Sequence, residues 1–365
     1  MASGGMFWWL AAGGLSLSAF AQNAPVTVPI PGDPLEMVAG RIRAADAHPN
    51  RAAAIRLLDR ARAGYALRRA GRGYDLKVSF TVDSGGQTEY DGAWKMEDVF
   101  DPQQGHRWAA HPPGSNAIVR IFSNGTIYGE DTLDYIPLRL QETRAALFDP
   151  IPSSARVARA SIRTATAIFR GAQLTCILLS GSGNAASATS SRRWDESEDC
   201  VDRKSGLLRM HSQVPGRYYA YEYSGAPRLA DCILPRKVTV TEAGKTVTEI
   251  SVDSLTELPS ADPGLFVPTE QMRARGVAIS MAGAQKIFRD AGQGSPAPSA
   301  NAHIVCVFGV VTPAGQFVEA HSLQPSDPDS QAAVETAKQM TFPPAPGTGP
   351  RQYFAFVIER FGSTQ

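Results

Sequence analysis

The spacing of apolar positions changes once, sharply, near Gly73. Before it, Ala54, Leu58, Ala61 and Tyr65 recur at intervals of four, three and four, which places them on one face of a helix within residues 37–73. After it the period drops to two: Tyr74, Leu76, Val78, Phe80 and Val82 alternate with Asp75, Lys77, Ser79 and Thr81, the pattern of a half-buried strand. Strand-like runs follow in TEYDGAWKM, NAIVRIFS and GTIYG, and a helix is predicted over Leu138 to Phe148. Strands resume in SIRTATAIF, QLTCILLS, GLLRMHSQV, RYYAYEYS, ILPRKVTV and KTVTEISVDSL, with hairpin turns expected at Asn124-Gly125 and Gly244-Lys245. One helix, many antiparallel strands and one further helix predict an α+β domain on a strongly curved sheet over residues 37–258.

Residues 259–301 read as transitional. LPSADPGLFVPTE carries helix-breaking Pro, 282–291 suggests a short helix, and GQGSPAPSAN has the composition of a flexible linker, which puts a domain boundary near Asn301. The segment 302–365 is compact. HIVCVFGVV is a strand, Pro313 to Gln316 a turn, and FVEAHSL a returning strand. Asp327, Pro328 and Asp329 open a helix whose apolar face is Ala333, Ala337 and Met340, and RQYFAFVIERF is a last strand. The order is β-β-α-β.

That order, with Gly315, Val318, Ala332, Ala333, Ala337, Phe342, Pro343, Pro344, Ala345, Gly347 and Phe361 at matching places, resembles the TonB C-terminal domain family. The resemblance implies a partner-binding module in which Tyr353, Phe354, Ala355, Phe356, Val357, Ile358, Glu359, Arg360 and Phe361 present a free sheet edge to an outer-membrane or periplasmic protein. On packing alone, Phe354, Phe356 and Ile358 are expected on the helix, with Tyr353, Val357 and Glu359 towards solvent. Two departures weaken energy transduction: the linker of about ten residues reaches at most roughly 35 Å, and the Tyr-Pro pair that usually precedes such a domain is missing. The larger region resembles the LolA-like half-barrel of envelope lipoprotein carriers in element order and in its DRKSGLL turn. That likeness implies a concave face, here lined by Phe80, Trp94, Ile121 and Tyr128, which holds a lipid or other apolar ligand or else is a filled core.

Charge and cysteine count narrow the setting. The 365 residues hold 36 basic and 35 acidic side chains, so net charge gives no reason to expect nucleic acid. The average hides a basic stretch, with nine Arg against two acids from Arg41 to Arg72, followed by six acids and one Lys from Asp83 to Asp101. The basic helix reads either as a face for anionic headgroups or as a solvated face offset by those acids. No charge precedes Asp33, and an apolar run ends in Ala19-Phe20-Ala21, the pattern of a signal peptide (1–21) cut after Ala21, with 22–36 as an extended lead-in. Export to the periplasm or cell envelope follows from that reading, and in an oxidising compartment Cys176 and Cys200, on neighbouring strands, are expected to pair. Cys232 and Cys306 fall in different regions and are not.

Motifs for chemistry are sparse. The six His show no metal-ligand spacing, and His106 and His111, five apart, point to opposite faces of a strand. Gly181-Ser182-Gly183 lies in a Ser/Gly/Ala-rich loop and not at a strand-to-helix elbow. Asp195, Glu196, Glu198 and Asp199 read as a solvated or ion-binding turn. The expectation is a non-enzymatic binding or adaptor protein with no metal, cofactor or catalytic residue, or alternatively a carrier of an apolar ligand.

Overall fold

The computed structural model describes residues 50–85, 89–181, 192–290 and 303–361. The expected signal peptide, the lead-in, the Ser/Gly-rich loop and the boundary at Asn301 lie outside the described residues.

Helix α1 (Asn50–Tyr65) buries Ala54, Leu58, Ala61 and Tyr65, the face the spacing predicts. Of the basic stretch, Arg68, just beyond the helix, reaches Asp98 of the acidic stretch, and Arg56 on the helix is exposed. Arg51 donates to the Ala158 and Ala160 carbonyls and Arg62 to that of Pro152, so these two fasten the helix to its neighbours. The chain then runs through β1 (Gly73–Val82), β2 (Gly92–Asp101), β3 (Gly105–His111), β4 (Ile118–Ser123) and β5 (Thr126–Gly129). After α2 (Leu138–Phe148) and α3 (Ser154–Arg159) come β6 (Ser161–Phe169), β7 (Ala172–Ser180), β8 (Ser197–Asp202), β9 (Leu208–Ser212) and β10 (Arg217–Glu222). The short pair β11 (Arg228–Leu229) and β12 (Cys232–Ile233) precedes the long hairpin β13 (Lys237–Glu242) and β14 (Lys245–Leu258). Ten of these strands and the β13–β14 hairpin make one antiparallel sheet in the order β5-β4-β3-β2-β1-β14-β13-β10-β9-β8-β7-β6.

Curvature follows from what the sheet encloses. Flat, β3 and β9 would lie roughly 30 Å apart, six strand spacings of about 4.8 Å. Yet Trp108 of β3 and His211 of β9 line the same cavity. The inner face of β1 to β4 carries Phe80, Trp94, Met96, Trp108 and Ile118, which share one core with Leu58 of α1 and Leu140 and Leu147 of α2.

The remaining elements form a second sheet. α4 (Glu270–Arg275) leads into β15 (Ser280–Asp290), followed by β16 (His303–Val311), β17 (Phe317–Ser322), α5 (Ser330–Gln339) and β18 (Arg351–Phe361), in the sheet order β15-β18-β16-β17. Residues 282–290 are therefore strand and not the short helix expected, and β15 joins the terminal sheet from the far side of the proposed linker. It pairs with β18 in parallel from Ser280 opposite Arg351 to Asp290 opposite Arg360.

This placement corrects the expected partner edge. β18 is hydrogen-bonded by β15 on one side and by β16 on the other, so Tyr353 to Phe361 present no free edge. The packing expectation also inverts. Tyr353, Ala355 and Val357 face α5, against Ala333 and Ala337. Phe354, Phe356 and Ile358 face the large sheet, against Leu138 and Val214, and Glu359 is buried. The unbroken apolar run YFAFVI is what a strand covered on both faces requires.

Candidate functional site

Where the two sheets meet they leave a cavity of about 790 Å³. Its floor is the inner face of β3 and β4, its roof α2, and its wall the start of β15 with Phe354 of β18. The wall is irregular for a local reason: the β15–β18 register breaks between Met281 and Ala284, at Gly283. Apolar side chains contribute Trp108, Phe122, Ile127, Phe148, Met281 and Phe354 to the lining.

Charge enters at one end, around Asp98. This carboxylate is fully buried on β2 and is reached by four donors. Tyr74 Oη donates to Oδ1 at 2.9 Å, Arg144 to Oδ2 at 2.9 Å, and His106 Nε2 lies 3.0 Å from both oxygens. Arg68 stands 3.6 Å away. Burial alone would push the Asp98 carboxyl up, but His106, Arg144 and Arg68 together hold it well below the usual carboxylate range. For His106 burial wins over Asp98 and lowers the imidazole. Arg144 lies 4.3 Å over the Trp108 ring, and both Arg144 and Arg68 lie 5.0 Å from the Phe148 ring.

The predicted ligand residues separate. Cross-strand register puts Phe80 opposite Trp94 on the inner face, where the rings stack at 5.2 Å inside the packed core. Ile121 pairs with Tyr128 one position out of phase, on the outer face, where Ile121 packs with Met272 of α4. Pleat parity, invisible when single aromatics are picked from separate strands, divides the four. None of the four lines the large cavity, although Phe80 and Trp94 border a shallower hollow of about 370 Å³.

Other expectations fare differently. Cys176 and Cys200 are directly opposed on β7 and β8 and form a disulfide, while Cys232 and Cys306 are free and buried. His106 is buried and His111 exposed, as a separation of five in a strand requires. Asp195, Glu196, Glu198 and Asp199 are not a solvated turn. Glu196, Glu198 and Asp199 are almost wholly buried, where Arg163 pairs with Glu196, Arg192 with Glu198 and His211 with Asp199 at 2.9 Å. Asp195 is paired with Arg193. Buried carboxylates need such partners. The fold also brings His303 to 3.3 Å from Asp327 and 3.0 Å from Asp329, a grouping that sequence spacing hides.

The cavity cations were the residues overlooked. Arg120 interrupts the apolar strand NAIVRIFS on its inner face, and a charge inside an otherwise apolar run was the available signal.

No protein-family model matches the sequence, so the TonB C-terminal resemblance is not supported by a family match. No curated protein matches it either. Among solved structures, similarity is found to a LolA superfamily protein from Nitrosomonas europaea, at 8% identity and a TM-score of 0.36, covering 58% of this chain and 96% of that one. A DUF1329-family protein from Desulfovibrio piger is similar at 9% identity and a TM-score of 0.32, covering 57% and 97%. LprF from Mycobacterium bovis follows at 11% identity and a TM-score of 0.24, covering 58% and 97%.

Proposed function

We propose that this chain is a non-catalytic binding protein of the cell envelope that carries a lipid or similarly apolar ligand in the cavity between the curved sheet, α2 and β15. The observation that carries this reading is the cavity itself: about 790 Å³, within the range of roughly 300–1,000 Å³ typical of ligand sites, and walled by aromatic and aliphatic side chains. The Cys176–Cys200 disulfide supports an oxidising compartment. Among the described residues no helix is long and apolar enough to cross a membrane. The adaptor reading loses its basis because the strand that would accept a partner is already bonded on both edges.

Native mass spectrometry of the full chain, followed by solvent extraction, tests the reading. A co-purifying lipid, or saturable uptake of a fluorescent fatty acid by the stripped protein, is the expected result. Ala145 lines the cavity from α2, and Ala145→Trp should obstruct part of it and weaken uptake while leaving the circular dichroism spectrum unchanged. Undiminished uptake by that variant would place the ligand elsewhere and sink the proposal.

A further inference from the structure

We infer that the ligand of this cavity is an amphiphile with an anionic head, a carboxylate or a phosphate, seated on an arginine cluster beside the apolar wall. The inference rests on the reading of the cavity as a ligand site and adds the chemical class of what it takes.

The argument is one of charge and burial. Five guanidiniums line the cavity, those of Arg68, Arg120, Arg144, Arg156 and Arg351, and among the described residues Asp149 is the single carboxylate that does. Behind the wall Asp131 pairs with Arg120, and Asp98 serves both Arg144 and Arg68. Asp199, also behind the wall, is engaged by His211. Four carboxylates thus meet five guanidiniums, so a positive surplus remains at the rim of a volume partly shut off from water even when every carboxylate is counted. In such a place a charge-assisted, bidentate bond to an oxyanion is stronger than at an open surface.

Arg68 and Arg144 share one carboxylate, and each also lies 5.0 Å from the Phe148 ring, so cation and apolar surface are adjacent. A head at Arg68 leaves an attached chain free to lie along Phe122, Ile127 and Met281. A purely apolar ligand would leave the surplus charge unanswered, and a simple inorganic anion would leave the apolar wall wet.

The test compares ligands of one chain length on the stripped full chain: hexadecanoate, hexadecyl phosphate and hexadecanol, each displacing a fluorescent fatty acid. Both anions should bind roughly tenfold or more tighter than the alcohol, and the difference between them shows which head is preferred. The double variant Arg68→Gln, Arg351→Gln alters two side chains at the cavity rim and leaves Asp98 paired with Arg144 and His106. It should lose most of the preference for anions while keeping its affinity for hexadecanol. Equal binding of alcohol and anions overturns the inference but leaves the carrier reading standing. Failure of all three to bind removes both, and an unchanged preference in the double variant overturns the seating of the head on Arg68 and Arg351.

Discussion

Arg139 holds both carboxylate oxygens of Glu242, at 2.5 and 3.0 Å, and does so with its guanidinium carbon 5.8 Å from the ring centre of Phe308. The pair joins α2 to β13, and Phe308 belongs to the second sheet, so one ion pair connects three parts of the fold. Arg217 adds a further bond to Glu242 at 2.9 Å and pairs with Glu142, and its own guanidinium lies 5.0 Å from Phe308 and 5.2 Å from Phe354.

Removing one member leaves the others buried and unmatched. Arg139→Met should therefore destabilise the protein by about 3–5 kcal/mol, read as a lower urea midpoint. Burial raises the Glu242 carboxyl, but Arg139 and then Arg217 outweigh it, so it sits below its ordinary 4.5. A carboxyl lowered in the folded state stabilises fully above that ordinary value, and its contribution disappears as pH falls below it. The urea midpoint of the wild type should drop on acidification below pH 4.5, and that of Glu242→Gln should drop less.

Glu319 has the opposite sign. It accepts the Leu138 N–H at the start of α2, at 3.2 Å, yet burial pushes it up to about 7 from 4.5. The folded protein then binds this proton more tightly than the unfolded chain does. Its stabilising effect is complete below pH 4.5 and lost as pH rises through 7. Glu319→Gln keeps an acceptor for Leu138, and should be more stable than wild type at pH 8 by up to about 3 kcal/mol, with no advantage at pH 4. Parallel urea titrations at the two pH values decide it.

The disulfide closes a loop of 24 residues between β7 and β8. Chain entropy gives such a closure about 3 kcal/mol, so Cys176→Ala with Cys200→Ala should lower the urea midpoint accordingly. Thiol titration of the denatured, unreduced protein should find Cys232 and Cys306 only.

Two glycines with nearly the same backbone separate conformation from crowding. Gly315 has φ +79° and a Cβ there would sit 2.5 Å from the Phe342 carbonyl oxygen, while Gly85 has φ +78° and open space around it. Gly85→Ala should cost about 1 kcal/mol for the left-handed backbone alone. Gly315→Ala must also displace Phe342, whose N–H donates to the Gly315 carbonyl at 3.0 Å, and should cost about 1–3 kcal/mol more. Thermal melts of the two variants give the comparison.

Periodicity made the helix face of α1, the alternation of β1 and the β-β-α-β order of the terminal segment readable from residues alone. Each depends on contacts within one element or between neighbours in the chain. The cavity depends on contacts over long separations. Gln352 donates to the Ile136 carbonyl at 2.7 Å and to Gln141 Oε1 at 2.8 Å, and nothing near Gln352 in sequence announces α2 as its partner. The arginines misled for a related reason. Charge is normally a sign of solvent, and Arg144, Arg163, Arg192 and Arg217 are buried because each finds a carboxylate outside its own element. β15 was lost to helix because its Ala and Gly content carries no strand preference of its own; β18 supplies the pairing.

The terminal sheet is ordered against the direction of the chain. Its centre is β18, which follows β15, β16, β17 and α5 in sequence, so none of the earlier strands except the β16–β17 hairpin has its neighbour until β18 arrives. Until β18 is made, the cavity wall from Ser280 to Ala284 lacks its strand partner and is left with contacts to the large sheet and α2, such as the bond from Gln141 to the Ala282 carbonyl at 3.2 Å. A chain cut short before Arg351 would therefore lose the middle of a sheet, not its end, and with it the partner of the strand that walls the cavity.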